Sequence, residues 1–495
     1  MKGTCISILG TASDVGKSVL ATALCRILKN RGYSVAPFKA QNMSNNSFVT
    51  ATGEEMGRAQ VAQAEACGLH PCADMNPVLL KPSGDCESQV VVQGHVIGRC
   101  NARDYFKDTS ALFDRAMESL ERLRSKYDIV VMEGAGSCAE VNLRSRDFVN
   151  FPIARAVDAS VILAADIERG GVFAQIVGTL EVVDPEDRAS VKGFLINRFR
   201  GDAGLFSNGI EYLEQRTGRK IFGVVPHFHD IRIDQEDGVA INRLVDRGFP
   251  EGGSLNIAVI CLPRMSNQTD FDALERTDGI NVNYLGEARD LKDYQLCVLP
   301  GSKNVRGDLK WLLEEGWGER LKDFVGRGGH LAGICGGYQM LGQTITDPKG
   351  VEDTAGHSEG LGLLPVHTVL GSRKELWQVT GRALLSDASV FGYEIHMGAT
   401  ERSAGEPAFE LVRADGSVVA DGCVAADGRV WGSYVHGLFD SASFRNELLR
   451  RFNPAFEGPW VVEDYPVFKE RQYDALAAHV EAAVDVDALL EAVGK

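Results

Sequence analysis

The sequence contains no apolar run approaching the roughly 20 residues that a bilayer-spanning helix needs, so a membrane is not an expected partner. It also has no excess of base. Lysine and arginine total 52 against 68 aspartates and glutamates, a formal net charge of −16, and a chain of that balance lacks the basic face that meets a phosphodiester backbone. Nucleic acid is therefore excluded as a partner. An anionic small substrate is not, because a few local cations dominate a pocket whatever the net charge. The eleven cysteines show no paired spacing. That excludes a disulfide framework or a zinc site and predicts a reduced, cytoplasmic setting with mostly core thiols. Residues Met1–Gly10 lack a basic n-region and a cleavage site, so a signal peptide is not expected. Long internal repeats and low-complexity tracts are absent too.

What remains is a globular composition, 44% hydrophobic and 24% charged, over 495 residues, more than one core can ordinarily use. Short apolar runs at Cys5–Leu9, Ile129–Met132, Ser160–Ala165 and Val191–Ile196 read as buried strands. Amphipathic helices are expected at Val19–Asn30 and Thr109–Arg124. Strands alternating with helices predict a parallel sheet covered on both faces. After a polar, Gly-rich stretch the alternation restarts at Asn256–Leu262, Leu296–Pro300 and His330–Ile334. The expected organisation is a synthetase domain over 1–232, a linker over 233–253, a second α/β domain over 254–454 and a helical cap over 455–495, ending in a helix Tyr473–Val493.

Gly10-Thr11-Ala-Ser-Asp-Val-Gly16-Lys17-Ser18 follows the first strand and opens the first helix. In that context backbone N–H groups and the helix N-terminus hold a phosphate, Lys17 reaches the β/γ oxygens and Ser18 ligates Mg²⁺. Lys39 follows the second expected strand, where a cation would stabilise a phosphoryl group in transfer. Glu133 ends a buried strand, the place where ligands collect in open α/β sheets, and is a natural Mg²⁺ ligand beside such a loop. Weaker substrate-wall candidates are Asn42, Asn45, Asp147 and Asn150, whose polar side chains equally suit loops that bond their own backbone.

Gly333-Ile-Cys335-Gly336-Gly337-Tyr-Gln339 follows another apolar strand, with a helical pattern expected from Met340. Small residues around a cysteine on a strand-to-helix turn expose the sulfur and aim the Gly336 N–H at a developing oxyanion. A second donor is expected from the turn at Gly301. The base candidate is His436, about a hundred residues on, since a Cys with a spatially close His is the minimum for thioester chemistry.

These segments resemble known families. The phosphate loop, with Gly10 and Thr11 displaced by one position from the strict pattern, is similar to the dethiobiotin-synthetase-like branch. The second half resembles class I glutamine amidotransferase domains, in which G-x-C-x-G-x-Q carries the nucleophile and the position of Gln339 belongs to the glutamine pocket. In the commonest form of that family an acid follows the base His by two residues; here Leu438 stands there, implying a slower or partner-gated glutaminase. Fusion of the two halves, together with Pro37-Phe-Lys39-Ala-Gln-Asn42-Met-Ser-Asn45-Asn46, Leu262-Pro-Arg-Met-Ser-Asn-Gln-Thr-Asp270, Pro300-Gly301-Ser-Lys-Asn304 and Gly392-Tyr-Glu-Ile-His-Met-Gly398, resembles the cobyrinate/cobyrate amidase group over essentially the whole chain.

The resemblance implies a fold class of α/β type: a P-loop parallel sheet followed by a class I glutaminase-like domain. It implies a ligase that uses glutamine, ATP and Mg²⁺, with no bound prosthetic group, to amidate a corrinoid at the b, d, e and g carboxylates of adenosylcobyrinic acid a,c-diamide. A homo-oligomer stays open. So do an a,c-diamide synthase, which amidates earlier carboxylates, and a ParA-like ATPase with a degenerate glutaminase domain.

Overall fold

The computed structural model describes residues 2–82, 87–101, 109–228, 230–234, 255–352, 354–452, 461 and 463–495. The expected linker, 233–253, lies almost entirely outside them.

Six parallel strands form the first sheet, in the order Lys220–Pro226, Val191–Phe199, Ser160–Asp166, Thr4–Gly10, Ile129–Glu133 and Val35–Phe38. The four expected strands all belong to it. Their β-branched and aliphatic side chains are buried on both faces, as a doubly covered parallel sheet requires. Register then decides what meets at the carboxyl edge. Ile8 stands beside Glu133, Gly10 beside Ala164 and Phe38 beside Met132, so the loop after Gly10, the carboxylate of Glu133 and the cation of Lys39 converge there.

Between Phe38 and the helix Ser110–Arg124 the chain inserts a small sheet, Gln41–Met43, Val78–Pro82, Glu87–Val92 and His95–Asn101. A hairpin, Ser47–Val49 with Glu55–Gly57, and the helix Arg58–Ala66 complete this insertion.

The second sheet runs Ile280–Leu285, Leu255–Ile260, Leu296–Leu299, His330–Ile334 and Val430–Ser433, all parallel, with Cys423–Val424 antiparallel at its edge. Ile334 stands beside Ser433, which sends Cys335 and the segment reaching His436 out of the same edge. A long antiparallel hairpin, Val366–Ala383 with Ser389–Arg402, packs beside it, and Tyr393 pairs with His436 through the backbone.

Two expectations change. The helix after Cys335 begins at Gly336 and ends at Leu341, because Gly342 turns the chain into the strand Thr344–Asp347. The C-terminal helix is two helices, Tyr465–Glu481 and Val486–Ala492. Asp485 accepts a hydrogen bond from the Ala488 N–H and so caps a new start. Both dock on the first half, where Arg26 pairs with Asp474 and Lys469 with Glu65.

Candidate functional site

Two centres form at the two carboxyl edges. At the first, Gly16 takes φ 90° as the N-cap of the helix Lys17–Asn30, a left-handed conformation that favours glycine there. A Cβ on Gly10 would stand 2.9 Å from Lys17 Nζ, so the loop closes tightly over that lysine. Lys17 Nζ donates to the Gly136 carbonyl at 2.7 Å. Thr11 is tied back to the sheet, its N–H on the Ala164 carbonyl at 3.0 Å. Glu133 gathers three donors. Ser18 Oγ at 2.7 Å and Lys39 Nζ at 3.0 Å share one oxygen, and Gln63 Nε2 takes the other. Both Lys39 and Glu133 are buried, and a buried ion pair that loses one partner costs about 3–5 kcal/mol.

The weaker candidates divide. Asp147 accepts from the Val149 and Asn150 N–H groups, and Asn150 bonds Asp147 and both backbone groups of Ala135. They pin the loop that follows Glu133. Asn42 is buried against Gln60, and Asn45 Oδ1 has no hydrogen-bond partner.

At the second centre Cys335 adopts φ 51°, ψ −104° at the strand-to-helix junction. A non-glycine residue held there stores roughly 1–3 kcal/mol, which the surrounding packing must sustain. The glycines explain the packing: a Cβ on Gly337 would fall 2.0 Å from the Leu299 carbonyl, and one on Gly336 would fall 2.8 Å from the Ser302 nitrogen. The turn Gly301-Ser302 thus presses against the start of the helix, and Gly301 itself lies against His436. Ser302 Oγ donates to Asp308, whose carboxyl is pushed up to about 6 by burial. Gln339 donates to the Tyr434 hydroxyl at 3.0 Å and lines the cavity that holds Cys335 and His436.

The absence of an acid at position 438 is overturned as a sign of a missing partner for His436. Leu438 is buried and apolar, but His436 Nδ1–H donates to Asp270 Oδ2 at 2.6 Å, and the Gly437 N–H donates to Asp270 Oδ1 at 3.0 Å. Burial alone would depress the imidazole. The charges of Asp270 and Cys335, with a hydrogen bond to each, outweigh it and raise His436 to about 10. The Tyr393 ring stacks on the imidazole, 5.5 Å between centroids. Asp270 comes from the short turn Gln268–Phe271, and its only sequence signal is the Asn267-Gln-Thr-Asp270 string.

The centres are physically joined. The Tyr393 hydroxyl donates to the Ser47 carbonyl, and Asn267 Nδ2 donates to both Tyr393 and Ser47. Asn46 Oδ1 accepts from the Gln268 N–H, and its carbonyl accepts from the Arg58 N–H at the start of the helix that carries Gln63. That path links the turn of Asp270 to the ligands of Glu133.

A phosphate-loop sheet with a carboxylate at its edge, joined in one chain to a Cys–His–Asp elbow, defines a nucleotide-binding glutamine amidotransferase. Residues 6–240 match the CobQ/CobB/MinD/ParA nucleotide binding domain, and residues 256–444 the CobB/CobQ-like glutamine amidotransferase domain. The chain is 50% identical to a cobyric acid synthase of Chlorobium phaeobacteroides (strain BS1), covering 99% of both chains. It is 50% identical to that of Chlorobaculum tepidum over 99% of this chain and 98% of the relative, and 44% identical to that of Syntrophobacter fumaroxidans over 99% and 98%. The chain belongs to the cobyric acid synthase family, and it is a glutamine-dependent ligase.

Proposed function

We propose that the chain amidates the b, d, e and g carboxylates of adenosylcobyrinic acid a,c-diamide to give cobyric acid in cobalamin biosynthesis, at the expense of ATP and glutamine. One observation carries this: relatives named cobyric acid synthase match the chain end to end, through both centres.

In this reading Cys335 Sγ attacks the γ-carboxamide carbon of glutamine, and His436 takes the thiol proton. The Gly336 N–H and the Gly301-Ser302 turn receive the oxyanion. The C–N bond breaks as His436 returns the proton to the leaving ammonia, and water then hydrolyses the thioester to glutamate. A carboxylate is a poor electrophile, so in the first half the γ-phosphoryl of ATP passes to a corrinoid carboxylate oxygen. Ammonia displaces phosphate from the acyl phosphate. The hydroxyl of Ser18 and the carboxylate of Glu133 are hard oxygen donors of the kind Mg²⁺ takes alongside nucleotide phosphates; when bound, that ion neutralises phosphate charge. Lys17 and Lys39 add positive charge at the same edge, and Gln63 orients Glu133. Ammonia passed from Cys335 to the phosphate loop inside the protein would be kept from protonation in bulk water. The expected division into residues 1–232 and 254–454 places one reaction in each domain.

The test is to incubate the purified chain with ATP, glutamine and each corrinoid separately and count amides by mass. Four conversions of the a,c-diamide are expected; two conversions of the unamidated acid would assign the earlier-acting enzyme.

Asp270→Asn tests the orienting role. The carboxylate is the larger of the two charges, ahead of Cys335, that hold His436 above its ordinary value of 6.5, so the amide lets burial draw the imidazole down. The sign follows: imidazolium stabilisation, complete below 6.5 and lost as pH rises through about 10, disappears at lower pH in the variant. Glutamine hydrolysis should fall by about 10²–10⁴-fold, and its pH profile should move toward acid. An unchanged rate and profile would remove Asp270 from the mechanism.

A further inference from the structure

The cavity that holds Cys335 and His436 has a charged floor that the thioester chemistry does not use. Lys303, Lys374 and Glu352 line it from the second half, and Lys81 lines it from the strand Val78–Pro82 of the first. Behind them Glu55, fully buried on the strand Glu55–Gly57, takes Lys81 on one oxygen at 2.6 Å and Lys374 on the other. Lys81 also donates to Ser47 Oγ at 2.7 Å. Three lysines and two carboxyl groups therefore gather at one side of this cavity. Lys303 bears the cost: burial, then repulsion from Lys374 and Lys81, pushes its ammonium down. Glu352 is pushed up by burial against the pull of Lys303, and its Oε2 accepts the Val305 N–H at 2.7 Å. His396 also lines the cavity, its Nε2 3.8 Å from the Glu394 carboxylate.

A cavity lined by three lysines, an adjacent carboxyl group and a nucleophile matches a zwitterion with an amide tail. We propose that the α-carboxylate of glutamine is held by Lys303, Lys374 and Lys81 and its α-ammonium by Glu352, so that the glutamine site is composite and complete only with the first half docked. The proposal rests on the reading that Cys335 hydrolyses glutamine. Adding one carboxylate among three mutually repelling ammonium groups relieves the repulsion, while the α-ammonium replaces the positive charge beside Glu352. A primary amide without the amino-acid head gains neither interaction, so this floor sets substrate choice. The first half contributes both Lys81 and Glu55, the counter-charge of Lys374. Glu55 leads directly into the helix whose Gln63 holds Glu133. Glutamine capture is thereby built on the same segment that orders the nucleotide centre.

The test uses the full chain and two alkylating agents that both reach Cys335. The glutamine analogue 6-diazo-5-oxo-L-norleucine carries the amino-acid head; iodoacetamide does not. Lys303→Met, Glu352→Gln and Lys81→Met should each slow labelling by the diazo ketone by about tenfold or more, with iodoacetamide labelling within about twofold of the unsubstituted chain. KM for glutamine should rise by about tenfold with kcat within about threefold, and Lys303→Arg should restore much of the loss. Equal slowing of both reagents in Lys303→Met and Lys303→Arg would mean that Cys335 itself is disturbed and would overturn the assignment. Labelling and KM like the unsubstituted chain in the Lys303 and Glu352 variants would overturn head-group recognition, and the same result for Lys81→Met alone would overturn the composite site. If the unsubstituted chain neither hydrolyses glutamine nor reacts at Cys335 with the diazo ketone, the glutaminase reading itself falls.

Discussion

The Cys335→Ala substitution is expected to lower glutamine-supported amidation by about 10³-fold or more while amidation from ammonium salts persists. The size follows from what the sulfur does. Without a nucleophile no thioester forms, and the remaining oxyanion donors can only assist water. Persistence with ammonium salts follows from placement. Cys335 sits at the edge of the second sheet, and the phosphate loop, Lys39 and Glu133 sit at the edge of the first. Alanine removes one buried sulfur and leaves the elbow glycines in place, so packing changes little. The measurement is amide formation by mass with each nitrogen source, alongside ATP turnover. Equal loss with both sources would show that Cys335 is needed for more than ammonia release, and the two-site reading would be abandoned.

The sequence announces what is local. Lys17 and Ser18 directly follow Gly16, the glycine that shapes their turn, and Cys335 is framed by Gly333, Gly336 and Gly337, so spacing alone exposes both centres. Strand and helix positions in the first sheet follow from apolar runs that need burial on both faces. Asp270 was not legible in this way. It reaches His436 across 166 residues, and the position where a local rule looks for it holds Leu438. The inserted hairpin Ser47–Val49 with Glu55–Gly57 was hidden for a related reason. Its strands are three residues each, too short for periodicity, and besides Lys81 the partners Asn267 of Ser47 and Lys374 of Glu55 lie 220 and 319 residues away. Asp147 and Asn150 show the converse. Their residue types suggest a ligand wall; short-range Asx bonding ties both into the loop after Glu133, and Asp147 also lines a cavity.

Lys17→Met carries the second large expected effect, on the other centre. Lys17 is nearly buried under the loop, and its ammonium rests on the Gly136 carbonyl at 2.7 Å. The Gly136 carbonyl belongs to the loop that follows Glu133, where Asn150 pins the neighbouring Ala135 through both its backbone groups. In the proposed reaction negative charge grows on the phosphoryl oxygens as they pass to the carboxylate, and Lys17 is the cation that the loop aims at them. Methionine keeps the length and apolar stem but removes the charge, so amidation should fall by about 10²-fold or more with either nitrogen source. Glutamine hydrolysis at Cys335 should continue, and labelling of Cys335 by the diazo ketone should be unchanged. The sign of the coupling is the informative part. If glutamine hydrolysis falls together with amidation in a variant that melts at the same temperature, nucleotide binding at Glu133 controls the glutaminase through the helix Arg58–Ala66. That helix carries Gln63 at one centre, and its first N–H meets the Asn46 that holds the turn of Asp270 at the other. If amidation itself survives Lys17→Met, the loop does not hold the transferred phosphoryl group, and the carboxylate must be activated elsewhere.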